Sequence, residues 1–272
     1  MFGYVVNDAF IKRAAEDLPL FQAIFFRGVV ITALLIVIVR VRKSTAPLRS
    51  YFGRPIMLRM LMEALGTVAY LVTLTKVPLA GLSAVMQLVP LAVTFAAARL
   101  LREQVNIHRI VSLMIGFAGV LFVIRPGGDD FSPWFLGGIA AVALVVAREL
   151  ATRKVPAEIA GTAIALGTAV VITTMGGVIS VFQGWKVPSL LVLALLSCGA
   201  FFLCLGYIAS VNSIRLGDIS FSAPFRYTVL VFAIVLQIVV FNEVPDAMTF
   251  IGSGLVAIAG FYALARGTAG VA

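Results

Sequence analysis

Ten apolar stretches, most of them long enough to cross a bilayer, follow one another through 272 residues with little polar sequence between them. Hydrocarbon offers the backbone no hydrogen-bond partners, so segments of this type must fold as helices that satisfy their own N–H and C=O groups. Hydrophobic residues make up 61% of the chain and charged residues 12%, against about 25% charged in an ordinary soluble domain. No soluble fold hides that much apolar surface. At roughly 20 residues per span, ten spans consume about 200 residues and leave short loops plus one longer segment, residues 41–55. There is no room for an extramembrane catalytic or nucleotide-binding domain, and the chain is predicted to be an all-α polytopic membrane protein.

The spans are expected at 1–16, 19–40, 56–75, 79–100, 107–124, 134–151, 157–182, 188–210, 217–240 and 245–265. The first is short and carries Asn7, Asp8, Lys12 and Arg13, so hydropathy alone gives nine spans. An internal repeat argues for the tenth. A shift of about 137 residues superposes Leu18-Pro19 on Val155-Pro156 and Tyr70 on Tyr207; with a slightly larger shift Glu103 meets Glu243 and Gly119 meets Gly260. Five spans plus five, in units 1–126 and 132–267, is the simplest reading. An odd number of spans per unit inverts the second copy, a recurring plan of secondary transporters with a site near the bilayer midplane.

The formal charge of +9 raises nucleic acid as a partner, but the positions of the basic residues favour a membrane origin. With a cytoplasmic N-terminus, thirteen of them face the cytoplasm: Arg40, Arg42, Lys43, Arg49, Arg54, Arg99, Arg102, Arg109, Arg148, Arg153, Lys154, Arg215 and Arg266. Only Lys12, Arg13, Lys76, Arg125 and Lys186 face the other way. This bias predicts both termini in the cytoplasm, in a cell inner membrane, with the lipid bilayer as partner and no nucleic acid. Met1 leads into Phe2-Gly3-Tyr4-Val5-Val6 without a basic region or a small-residue cleavage site, so no signal peptide is expected.

The run Pro78-Leu79-Ala80-Gly81-Leu82-Ser83, followed by Pro90, Glu103, Gly116 and Gly119, resembles the second half of an EamA unit of the drug/metabolite transporter superfamily. Asp218 to Arg266 resembles it again through Pro224, Glu243, Gly252 and Gly260, while Ser112 departs mildly from the small residue usual at its position. Within that family the chain looks most similar to bacterial amino-acid exporters, including the aromatic amino acid exporter group (YddG-like). The resemblance implies a cavity formed by spans 1, 3, 4, 6, 8 and 9, with spans 5 and 10 at the periphery.

Ionisable groups within spans cost a few kcal/mol each at the helix centre, which makes them functional candidates. Asp8 and Arg27 fall at similar depth in the hairpin of spans 1 and 2, so a salt bridge or hydrogen bond between them, shared with Asn7, is expected. Glu63 in span 3 and Arg226 in span 9 both lie about 12 to 14 Å from the cytoplasmic edge, which makes them candidates for a gating contact between the two units. Arg59 and Arg148 are expected to snorkel to the cytoplasmic headgroups. Ser83, Gln87, Pro90 and Thr94 form one polar stripe along span 4. Pro90 deprives the Met86 carbonyl of its usual donor, and Pro224 does the same for Ser220 in span 9. Tyr70 and Tyr207 are matching aromatics of spans 3 and 8, and Phe201, Phe202 and Tyr227 lie deeper. Asn7, Tyr70, Ser83, Gln87, Pro90, Phe201, Tyr207, Pro224 and Tyr227 are thus the candidate substrate-binding residues. Structural readings compete at each: a kink for the prolines, an interfacial belt for the tyrosines, lipid contact for the phenylalanines.

Enzyme signatures are missing from the sequence: it has no Walker A motif, no His/Cys cluster of metal-ligand spacing, and one histidine, His108. The expectation is a non-enzymatic secondary transporter without cofactor or metal, working as a monomer. It would export a small polar or amphipathic metabolite, with amino acids foremost. Import of another small metabolite and a channel-like facilitator are the alternatives.

Overall fold

The apolar stretches fold as α-helices, and prolines mark the start of some of them. The computed structural model describes residues 1–43, 51–101, 107–125, 132–156, 158–216 and 228–267. Among these the helices are α1 (Phe2–Asp17), α2 (Leu20–Val41), α3 (Arg54–Leu74), α4 (Leu79–Met86), α5 (Leu88–Leu101) and α6 (Ile107–Ile124). They continue as α7 (Phe135–Thr152), α8 (Gly161–Phe182), α9 (Leu190–Leu216), α10 (Thr228–Phe241) and α11 (Ala247–Gly267). Leu18 is extended between α1 and α2, as the residue before a proline prefers, and Pro19 then opens α2. Pro78 introduces α4 in the same way.

Four helices, α2, α3, α7 and α8, are each long and apolar enough to cross a membrane, and shorter apolar runs occur in α4–α5, α6, α9, α10 and α11. The chain is a multi-pass membrane protein. The polar α1 is not left on the surface: Val5, Val6, Asn7, Ala9, Ile11 and Ala14 are buried where it packs on α9 and α10. The expected fourth span is two helices, α4 and α5, that break at Gln87. Every residue of α4 from Leu79 to Val85 is buried, so this short helix is the middle of the bundle.

The four most extensive packing pairs are α6 with α11, α2 with α8, α3 with α7 and α1 with α9, and α4 packs with α10. This set is unchanged when α1, α2, α3, α4 and α6 are exchanged with α7, α8, α9, α10 and α11 respectively. Glycines permit the closest of these approaches. A Cβ added at Gly119 in α6 would lie 2.7 Å from the Gly252 carbonyl oxygen, and one at Gly252 in α11 would lie 2.5 Å from that of Gly119. Gly3 meets the backbone of Phe202, and Gly28 meets Thr173, just as tightly.

Contacts at the two ends follow the alternating direction of the helices. At one end Arg125 pairs with Asp246, Gln22 exchanges hydrogen bonds with the backbone of Lys186, and Lys12 Nζ donates to the Val77 carbonyl at 2.7 Å. At the other, His108 Nδ1 lies 2.8 Å from the Tyr262 hydroxyl, and Tyr51 donates to the Ala163 carbonyl at 3.2 Å.

Candidate functional site

Hydrocarbon cannot solvate charge, so polar side chains in the middle of such a bundle must find one another. One group of them does so across three helices. Tyr70 of α3 donates its hydroxyl to Asp8 Oδ2 at 2.8 Å, and Asn7 Nδ2 donates to Asp8 Oδ1 at 3.0 Å. Arg27 of α2 donates through Nη1 to Asn7 Oδ1 at 3.3 Å. The Asn7 amide therefore stands between the two charges, donating to the carboxylate and accepting from the guanidinium. Asn7 and Arg27 are buried, at 2% and 6% exposure, whereas Asp8 and Tyr70 are only partly so. The Nε of Arg27 is buried with no hydrogen-bond partner among the described residues. The second half closes over the group through Gly199 of α9, where an added Cβ would lie 3.5 Å from the Asn7 Cα.

Sequence depth placed Asp8 and Arg27 at one level, and the structure joins them through Asn7 instead of a direct ion pair. Tyr70, read from the repeat as a match to Tyr207, is the carboxylate's hydroxyl partner. No sequence signal marked that pairing, because register along a helix does not give rotation about it.

A second cluster lies toward the end that carries His108 and Tyr262. Arg148 Nη1 of α7 donates to both oxygens of Glu63 in α3, at 2.8 and 2.9 Å, and Arg148 also pairs with Glu149. Arg59 Nη2 lies 3.5 Å from Glu63 Oε2, and its Nη1 donates to Thr168 of α8 at 3.0 Å. Arg59 and Arg148 thus turn inward to partners instead of outward to headgroups. Glu63 does contact the second half of the chain, through Arg148; Arg226 lies outside the described residues.

On α4, Ser83 and Gln87 are buried at 4% and 8% exposure, and the helix breaks at Gln87, three residues before Pro90. The N–H of Gln87 turns back to the Ala84 carbonyl at 3.1 Å, the tightened last turn of an ending helix. At the other end of α4 the Ala80 N–H, one of the first-turn donors without an intrahelical partner, donates to Gln237 Oε1 of α10 at 2.8 Å. The sequence reading did not single out Gln237, although a lone buried glutamine in an apolar helix is the signal that marks it.

Phe201 is 51% exposed on α9, and Phe202 packs edge-on against Phe2 with ring centroids 6.0 Å apart. Tyr207 belongs to α9, with its side chain outside the described residues, as are the side chain of Thr94 and the whole of Pro224 and Tyr227.

Residues 1–125 match the EamA-like transporter family. The chain is 27% identical over 264 residues to an S-adenosylmethionine uptake transporter of Rickettsia prowazekii (strain Madrid E), covering 92% of this chain and 85% of the relative. It is 28% identical over 268 residues to the pseudopaline exporter CntI of Pseudomonas aeruginosa (strain UCBPP-PA14), covering 95% and 90%. A riboflavin transporter of Brucella anthropi is 25% identical over 245 residues, covering 88% and 86%. One solved crystal structure aligns with 100% of this chain and 98% of its own, with a TM-score of 0.65 at 16% identity, a likeness of fold alone. The first 125 residues therefore carry the EamA-like transporter pattern, and the chain is similar along nearly its whole length to transporters of chemically diverse small molecules.

Proposed function

We propose that this protein is a secondary transporter that exports small metabolites across the cell inner membrane by alternating access, with amino acids, aromatic ones included, as its leading substrates. The observation that carries the reading is the hydrogen-bonded group of Asn7, Asp8, Tyr70 and Arg27. It holds charge in the interior of an apolar bundle, where charge is costly and its retention points to function. Ten spans in two inverted five-span units, 1–126 and 132–267, with both termini cytoplasmic, complete the proposal. The exchange-symmetric set of helix pairings supports this organisation, because a two-fold relation between the halves requires it. Substrate would pass between the halves along Asn7, Tyr70, Ser83, Gln87, Pro90, Phe201, Tyr207, Pro224 and Tyr227, with Glu63, its partner Arg148, and Arg226 controlling the cytoplasmic side.

The relatives include both uptake and export proteins, which makes import of another small metabolite the second reading. Transport of a labelled metabolite panel into and out of proteoliposomes, with and without a pH gradient, tests both. Amino acid efflux from the cytoplasm-equivalent side supports the first reading. Uptake alone supports the second, and a flux that does not saturate with solute concentration points to a facilitator.

A further inference from the structure

We infer that Arg27 and Asp8 are the two poles of a receptor for the α-amino acid headgroup, the guanidinium taking the carboxylate and Asp8, set by Tyr70 and Asn7, taking the ammonium. The inference rests on the transport reading above and deepens it by assigning which residue reads which end of the substrate.

A guanidinium carries five N–H donors and is never deprotonated at working pH. Burying one in a membrane protein is tolerated when a carboxylate forks onto it, since the paired arrangement offsets lost hydration. Arg27 is 6% exposed and has no such partner among the described residues: its one hydrogen bond is the 3.3 Å contact to the neutral Asn7 amide, and its Nε has none. The nearest acid in the network, Asp8, has one oxygen occupied by the Tyr70 hydroxyl and the other by the Asn7 amide. The two opposite charges are held in one cluster yet kept apart by a side-chain amide.

As a purely structural device this arrangement forgoes the charge-assisted hydrogen bonds, and part of the attraction, that a direct ion pair would supply. As a receptor it makes sense. A ligand carboxylate supplies the acceptor that Arg27 lacks. A ligand ammonium, adjacent to it on the same carbon, supplies a cation to Asp8, whose carboxylate retains lone pairs beyond the two bonds it accepts. Asp8 and Tyr70 are partly exposed while Arg27 and Asn7 are closed in, so of the two charges the carboxylate is the less enclosed. The ligand's side chain is not read by these four residues, so the site defines a headgroup and not a particular amino acid.

The test uses the full-length protein in detergent or nanodiscs, with thermal stabilisation as the binding readout and proteoliposome competition as a second. The probes are the twenty amino acids and, for those that stabilise, the matched methyl ester, which lacks the carboxylate, and the N-acetyl derivative, which lacks the ammonium. The free amino acid should bind about tenfold or more tightly than either derivative, the scale set by leaving a buried charged group unpaired. Arg27→Gln should abolish the preference over the ester while keeping that over the N-acetyl form. Asp8→Asn should do the reverse, and Tyr70→Phe should weaken only the ammonium preference.

Equal binding of the acid and both derivatives by the unmodified protein overturns the assignment without relying on any variant. So does stabilisation by riboflavin but by no amino acid, an outcome that leaves the transporter reading standing. Headgroup-selective stabilisation without flux would instead overturn transport and keep the receptor.

Discussion

Glu63 and Arg148 join α3 to α7 through both carboxylate oxygens, 2.8 and 2.9 Å from one guanidinium nitrogen. Each side chain is 22% exposed, between the exposed pairs that contribute about 0.2–1 kcal/mol and the buried ones whose disruption costs about 3–5 kcal/mol. Either single substitution, Glu63→Gln or Arg148→Gln, should therefore lower stability by about 1–2 kcal/mol. Glu63→Gln should cost more, because it leaves Arg59 and Arg148 together with only Glu149 to balance them. Thermal unfolding in detergent across a double-mutant cycle measures this, and additivity within about 0.5 kcal/mol would show that the contact carries no coupling.

Gly119 and Gly252 leave no room for side chains where α6 meets α11. Gly119→Ala or Gly252→Ala should destabilise by about 1–3 kcal/mol, the range of overpacked cores. Gly254, two residues along and on a different face of α11, has nothing within 4 Å of an added Cβ, and Gly254→Ala should be neutral or slightly stabilising through helix propensity. Equal melting temperatures for the three variants would count against the close approach.

Gln237→Leu should cost about 1–3 kcal/mol by stranding the buried Ala80 N–H, whereas Gln237→Glu should retain the acceptor. Hydrogen exchange at Ala80 is the local measurement. An unchanged exchange rate in Gln237→Leu would remove the cap from the account.

At the end of the bundle bearing Asp246, burial alone would raise that carboxyl's pKa. The Thr249 backbone N–H and hydroxyl and the Arg125 guanidinium outweigh burial and hold it below the usual carboxylate range. A carboxylate depressed in the folded state contributes stability that is complete above its unfolded pKa, near 3.9, and is lost as pH falls through the folded value. Half exposure keeps the effect small. Asp246→Asn should flatten the acid limb of the stability profile without shifting its neutral plateau; an unchanged acid limb would show that this pair does not contribute.

Depth and rotation separate what the sequence disclosed from what it withheld. Hydropathy and the 1.5 Å rise located the membrane helices, put Asp8 level with Arg27, and placed Pro90 beside an interruption that falls at Gln87. The same arithmetic gave no azimuth. Arg148 therefore read as a snorkelling cation, whereas it faces Glu63 across the α3–α7 contact. Asn7 read as a companion of the Asp8–Arg27 pair, whereas its amide is the link between them. Gln237 drew no notice because its role exists only where α10 passes the start of α4.

The interruption at Gln87 does more than bend a span. An unbroken helix gathers its partial charges at the two membrane faces, about half an elementary charge of opposite sign at each. Cutting it between Met86 and Leu88 brings a carbonyl terminus and an amide terminus together inside the bundle. A solute at that depth would meet a local field of both signs from the main chain alone, before any side chain is counted, and a dipolar molecule turned the right way would find part of its hydration replaced by peptide groups.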